Sequence, residues 1–450
     1  MIHPERITPL NRKSPGKGRW VLYWMQASQR ASWNHALEFA LREANGLDLP
    51  VVVFFGLTPD FPEANLRHYR FLLEGLREVQ NDLGKRGIAL VVRAVSPERG
   101  ALELCGDAAL AVTDRGYLHI QKAWREAVAR EAPCPLLQVE SDAIVPVESA
   151  SAKEEFSAAT LRPKIRALLP DFLHPLEETP AKRDSLGLRL PGLSLEDPEA
   201  ILRALPLNRS VPPIDSLRGG SSEGRRRLER FLAHALDRYH TDRNVPGSNA
   251  VSDLSPYLHF GHLSPLEVAL AVRASRHGNP AAKESFLEEL IVRRELALNF
   301  VHYNPAYDAY EGAVPAWARR TLEEHARDRR EYLYGLRDLE EGHTHDPFWN
   351  AAQREMVRTG KMHNYMRMYW GKKILEWSVS PSEAFRTALV LNNRWELDGR
   401  DPNGFAGVAW CFGKHDRPWG ERPIFGKVRY MNAAGLKRKF DMGPYLERFG

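Results

Sequence analysis

The sequence predicts an N-terminal α/β domain built on a Rossmann-like parallel sheet, followed by an all-α domain. Three observations predict it. Between residues 20 and 145, short apolar runs alternate with amphipathic stretches. From about Glu223 onward, apolar residues recur at helical spacing. Between these parts lies a proline-rich segment without sustained periodicity. Near-continuous apolar strands that alternate with helices suit a sheet covered on both faces.

The elements follow in order. WVLYWM (20–25) reads as the first strand, and Ser32 as the cap of a helix through SWNHALEFALREA. PVVVFFGL (50–57) is the second strand and NLRHYRFLLEGLREVQNDLGKRG (65–87) a long helix. IALVVRAV (88–95), a short helix near 97–104, AALAVTD (108–114), a helix near 118–131 and PLLQVES (135–141) complete the alternation. No GxGxxG follows the first strand, so the usual dinucleotide fingerprint is missing. The domains read as 18–145 (α/β), 146–220 (connecting segment, ending in Arg218-Gly219-Gly220-Ser221-Ser222) and 221–450 (helical). Ser380-Pro381-Ser382-Glu383 is a capping box with proline at the first helical position.

Composition narrows the function. The 450 residues are 43% apolar and 27% charged, a globular profile too long for one ordinary core. No apolar run reaches the roughly 20 residues that span a bilayer. The basic, polar N-terminus is no secretory signal, and three scattered cysteines suit a reducing cytosol. His343-Thr344-His345-Asp346 reads as a polar turn, and no metal is expected. Net charge is +5, yet Cys411 to Lys439 alone carries +6 among interleaved aromatics. Such a basic, aromatic patch is the footprint of a phosphate-backbone partner.

Four stretches carry chemistry. In SNAVSDLSPYLHFGHLSP (248–265), Ser252 and free N–H groups are placed for a phosphate. Asp253 is expected to face a sugar or a backbone N–H, because inward it would repel phosphate. In FLEELIVRREL, Glu289 and Arg293 stand at i,i+4, a common ion pair; burial would instead raise the Glu289 pKa and make it a hydrogen-bond donor. In MHNYMRMYWGKKILEWS, Trp370 and Trp377 lie on one helix face, roughly 10.5 Å apart along the axis. An aromatic stripe at that spacing packs a core or conducts electrons by hopping, and Trp349 extends it from a neighbouring helix. In the turn-rich stretch from Leu391 to Asn432, Asp398 is placed to pair with Arg367, and Trp410 to stack on a displaced base.

Together these stretches resemble the class II cyclobutane pyrimidine dimer photolyases of the photolyase/cryptochrome family. The resemblance also includes YWMQ with Arg30, RFLLEGL, and NRWELDGRDPNG…AW…FGKVRYM, and covers nearly the whole chain. It implies that the helical domain binds FAD, bent into a U and active as FADH⁻. It implies light-driven electron transfer to a pyrimidine dimer flipped out of DNA; photolyases are among the enzymes that take their target out of the stack. Tyr239, Ser252, Asp253, Leu254 and Ser255 resemble the flavin phosphate and ribose contacts, with Arg293 also on the cofactor side. Arg367 and Asp398 resemble the pair beside the isoalloxazine. Asn392, or its neighbour Asn393, resembles the asparagine facing flavin N5. Glu289 resembles the glutamate that bonds the lesion, and Trp410 lines its pocket. Arg243, Lys414 and Arg429 are placed on DNA. Trp370, Trp349 and Trp377 are proximal, intermediate and terminal indoles from flavin to solvent. An atypical ASQRASWNHAL leaves the antenna open: a deazaflavin or none. The expected protein is a cytoplasmic monomer, nucleoid-associated in a bacterium. One rival is a cryptochrome-like flavin photoreceptor. The other is a non-enzymatic helical protein that binds nucleic acid.

Overall fold

The computed structural model describes residues 2–450. Six strands form one sheet: β1 (Ile7–Pro9), β2 (Trp20–Trp24), β3 (Val51–Gly56), β4 (Ala89–Arg93), β5 (Ala108–Asp114) and β6 (Leu136–Val139). Their order is β1-β6-β5-β2-β3-β4, with β2 to β6 paired in parallel and β1 antiparallel to β6. Four helices connect the parallel strands: α1 (His35–Leu47), α2 (Leu66–Lys85), α3 (Pro97–Cys105) and α4 (His119–Glu131). Strand β2 shows why both faces are apolar. Val21 and Tyr23 enter the core that holds α1 and α2, whereas Trp20, Leu22 and Trp24 enter the core that holds α3 and α4.

Two boundaries differ from the sequence reading. Strand β1 extends the α/β domain below residue 18; three residues, ITP, are too short to show an alternation. Helix α1 is capped by Asn34, whose Oδ1 accepts from Leu37 N at 3.1 Å. The Ser32 hydroxyl instead accepts from Arg225 Nη2 at 2.5 Å.

Residues 146–220 wrap the sheet. Leu193 N donates to Val92 O at 2.7 Å and Ala89 N to Ser185 Oγ at 2.7 Å. The segment thereby covers β4, the edge strand whose free peptide groups would otherwise invite pairing with another chain. The α/β domain and the helices up to Leu296 share one apolar cluster, and the later helices form a second. Ser380 caps its helix as read, its hydroxyl accepting from Glu383 N at 3.2 Å. Among the described residues no helix is long and apolar enough to cross a membrane.

Two contacts fix the helical domain on the sheet. Gly261 sits at φ 69°, and a Cβ there would lie 1.9 Å from Ala27 O; Arg30 Nη1 donates to Gly261 O at 3.0 Å. The motif after β2 and the motif around residue 260 therefore meet at a glycine that admits no side chain. Nearby, buried Glu295 accepts from Ile144 N at 2.6 Å and from Val145 N at 3.3 Å. Burial pushes the Glu295 pKa up to about 8, against these bonds and Arg294, which favour its charged form. The folded state thus holds a proton that the unfolded chain releases above the usual carboxylate pKa. Stability contributed by this site is full below about pH 4.5 and falls as pH rises towards about 8, by a few kcal/mol in all. Glu295→Gln is expected to remove that slope in urea melts recorded across this range.

Candidate functional site

The helical domain encloses a cavity of about 860 Å³, inside the range of small-molecule and cofactor sites. Tyr239, Arg243, Ser252, Asp253, Leu254, Ser255, Glu289, Arg367 and Asp398 all line it. Distant stretches add cations: Arg227 and Arg230 from helix Ser221–His234, Lys361 from a loop, and Arg448 from the last helix. Asp253 adopts a left-handed conformation (φ 55°) and its carboxylate pairs with Lys361. That cation, rather than a sugar or a peptide N–H, removes the repulsion the sequence posed.

One wall departs from ideal helix. Helix Pro280–Leu287 runs into a π-helical turn, Glu288–Arg293, before helix Arg294–Tyr303. The wider turn shifts every later side chain around the axis. Glu289 therefore does not pair with Arg293. It stands at the cavity wall, partly exposed, with Arg243 Nη1 2.7 Å from Oε1. Glu289 is only partly buried and ion-paired, and Arg243 is held by it. Arg293 is exposed and reaches Glu288 at 3.7 Å, and it is Arg294, not Arg293, that lines the cavity.

Charge is concentrated on the floor. Arg367 Nη2 lies 2.9 Å from Glu396 Oε1 and 3.7 Å from Asp398 Oδ1, so the nearer partner is Glu396, not Asp398. The two asparagines have separate uses. Asn393 donates to Glu63 of the α/β domain and accepts from Arg400 N at 2.9 Å. Asn392 spends one N–H on Asn393 Oδ1 at 3.1 Å, and its own carbonyl oxygen makes no side-chain bond.

The indoles form a contiguous stack. Trp349 lies parallel to Trp370 (centroids 6.3 Å, 6° apart) and meets Trp377 edge-on at 5.7 Å. It fills the gap that the seven-residue spacing leaves, and its Nε1 donates to Trp370 O at 3.0 Å. Trp377 does not open to solvent. It is 2% exposed, covered by Tyr334 at 5.4 Å and His345 at 5.2 Å, with Lys373 Nζ 5.5 Å from its ring. His345 bonds the Tyr334 hydroxyl at 2.8 Å while His343 approaches Glu341, so the two histidines serve different partners.

The basic segment is partly structural. Lys414 is buried, paired with Glu154 and lying 4.4 Å from the Phe300 ring, so it is not available to DNA. Arg429 is partly exposed and stacks on Trp419 at 5.0 Å, with Arg417 at 5.6 Å from the same ring. Trp410 is half-buried near the end of helix Pro402–Cys411 and is not in the cavity wall. The sequence reading passed over Glu396, Lys361, Arg294 and the cations from helix Ser221–His234 and the last helix. Glu396 alone had a local signal: it stands two residues before Asp398 in the same turn.

A parallel-sheet domain packed on a helical domain is the fold that this chain shares with solved photolyases and a cryptochrome. A bacterial class III photolyase from Agrobacterium tumefaciens superposes with TM-score 0.76 at 21% identity, covering 97% of this chain and 87% of that one. An archaeal photolyase from Sulfolobus tokodaii, solved with two FAD molecules, gives 0.71 at 17%, covering 95% and 89%. Residues 21–181 match the DNA photolyase family. A deoxyribodipyrimidine photo-lyase of Methanothermobacter thermautotrophicus is 57% identical over 450 residues, covering all of this chain and 98% of that relative. The chain belongs to the DNA photolyase family.

Proposed function

We infer that the large cavity holds FAD, active as FADH⁻, and that the enzyme repairs cyclobutane pyrimidine dimers in DNA by light-driven electron transfer to the flipped-out lesion. The observation that carries this is the cavity's donor set. Arg227, Arg230, Lys361 and Arg448 line one cavity, and buried Arg367 Nε and Asp398 Oδ1 have no hydrogen-bond partner. Unpaired buried polar atoms of opposite kind are what the edge of a polar ring satisfies. Bound reduced flavin supplies a one-electron donor that absorbs blue or near-UV light.

The chain's residues do the rest. Arg227, Arg230 and Lys361 hold the phosphates, and Tyr239 and Ser252 to Ser255 form the wall around them. Arg367 and Asp398 fix the ring edge, whereas Asn392 is buried behind the cavity wall and does not line it. Glu289 and Arg243 present a charged pair to the lesion's carbonyls and N–H groups. The dimer accepts one electron, its two bridging C–C bonds break, and the electron returns, so no net oxidation occurs. Trp370, Trp349 and Trp377 would relay an electron from an external reductant towards an oxidised flavin, with Tyr334 and His345 standing between Trp377 and solvent. A deazaflavin antenna is not assigned. The cavity at the strand ends measures about 140 Å³, below the roughly 300 Å³ where ligand pockets begin.

The reading extends to a monomer in a reducing cytosol, nucleoid-associated in a bacterium; the three unpaired, buried cysteines support the compartment. A repair assay on dimer-containing DNA, in light and in darkness, tests it: no light-dependent repair would move the chain to the photoreceptor reading. Docking has its own check. Arg429→Ala is expected to lower the slope of log affinity against log salt by about 1, while Lys414→Ala leaves the slope unchanged. Fluorescence anisotropy over a salt series measures both.

A further inference from the structure

The floor of the cavity has more acid than its cation can balance. Glu396 is 1% exposed and Asp398 8%, and both approach Arg367 Nη2. Glu355 faces the same group, its Oε2 already bonded to His363 N at 3.0 Å and Tyr445 OH at 2.6 Å. Neither Glu396 oxygen has an aligned hydrogen-bond donor, and Asp398 Oδ1 has none. Glu396 Oε1 and Asp398 Oδ1 both approach the same Arg367 Nη2, at 2.9 and 3.7 Å, so the two carboxyls are immediate neighbours. As two carboxylates they would be adjacent like charges, both unsatisfied, in a buried site, which is strongly unfavourable. One proton resolves every part of this. A Glu396 carboxylic acid becomes a donor to Asp398, which keeps further lone pairs for a ring edge, and Arg367 retains one counter-charge instead of two.

We propose that Glu396 is a protonated carboxylic acid that donates to Asp398, a positioning residue that keeps the cavity floor from turning net negative beneath an anionic ligand. This rests on the assignment of the cavity to reduced FAD for its purpose, although the proton itself does not. Burial above all, then the carboxylates of Asp398 and Glu355, hold the Glu396 pKa well above its usual range, against Arg367. The remaining groups facing it are Arg67 and His68 from α2 and Tyr445 from the last helix. His68 Nε2 meets the Glu396 backbone oxygen at 3.0 Å, and its burial beside Arg400 and Arg67 lowers its pKa well below 6.5, so it does not compete for the proton.

The test uses the full chain with and without FAD. Infrared spectroscopy of the flavin-free protein is expected to show, beside the Glu295 acid, a second protonated-carboxyl component, shifted by deuterium exchange, that is lost in Glu396→Gln and displaced in Asp398→Asn. FAD affinity separates the proposal from a plain Arg367–Glu396 ion pair. Glutamine can still donate to Asp398, so Glu396→Gln is expected to bind FAD more tightly than Glu396→Ala, which loses about tenfold, the scale of one hydrogen bond to a charged group. Circular dichroism confirms that each variant is folded; if the alanine variant is not, the glutamine variant and the band decide alone. An unchanged carboxyl band in Glu396→Gln, or a glutamine variant as weak as alanine, overturns the proposal. A band that behaves as expected in a protein that binds no flavin would keep the shared proton and remove the cofactor reading instead.

Discussion

Trp349→Phe is expected to abolish photoreduction of the oxidised cofactor while leaving light-driven repair by chemically reduced enzyme close to that of the unmodified protein. Trp370 and Trp377 share a helix face but stand roughly 10.5 Å apart along its axis. Trp349 is the ring that touches both, parallel to one at 6.3 Å and edge-on to the other at 5.7 Å. A benzene ring is much harder to oxidise than an indole, so phenylalanine keeps most of the packing and breaks the relay. The substitution also has a structural cost. Trp349 is fully buried, and its loss empties volume and removes the Nε1 bond to Trp370 O, together about 1–3 kcal/mol. A thermal melt measures that cost separately, so a blocked relay is read in folded protein. Transient absorption of oxidised enzyme and a repair assay on dithionite-reduced enzyme complete the measurement. Normal photoreduction would return the three indoles to plain core packing. Loss of both activities would mean that recharging and repair are not separable as assigned.

Much of the fold was legible because its signals are local and periodic. Each parallel strand is a short apolar run and each connecting helix carries an apolar stripe, with side-chain caps on α1 (Asn34) and α2 (Asn65), so β2 to β6 and α1 to α4 stand within a few residues of their expected places. Strand β1 was not legible: a three-residue edge strand has no period, and only its pairing with Val139, Gln138 and Leu137 defines it. The cavity was legible where one motif supplies several walls, as in residues 252–255. It was not legible where distant segments converge. Arg448 reaches the site from the last helix and Arg227 from the first helix after the connecting segment, and neither has a local mark. Errors of register had one physical origin. The π-helical turn at Glu288–Arg293 exchanged the roles of Arg293 and Arg294 and replaced Arg293 by Arg243 as the partner of Glu289. A basic run likewise does not say which of its cations are consumed internally, and Lys414 is one that is.

Arg367→Met is expected to destabilise the protein by about 3–5 kcal/mol, the usual loss when one partner of a buried ion pair is removed. The methionine roughly preserves volume, so cavity creation is a minor part. What remains is Glu396, Asp398 and Glu355 without their shared cation. The pH dependence identifies the cause. Without Arg367 the Glu396 carboxyl, already raised by burial, holds its proton more tightly, so its folded-state pKa rises further above that of the unfolded chain. Stability at such sites is full below the unfolded carboxylate range, near pH 4, and is lost as pH rises through the folded values. The gap between the variant and the unmodified protein should therefore be smallest in mild acid and widen towards neutral pH. Urea denaturation at a series of pH values reads this directly. A gap that is constant with pH would assign the loss to packing around the arginine stem. A gap that narrows as pH rises would mean that Arg367, not the acids, is the uncompensated charge on the cavity floor.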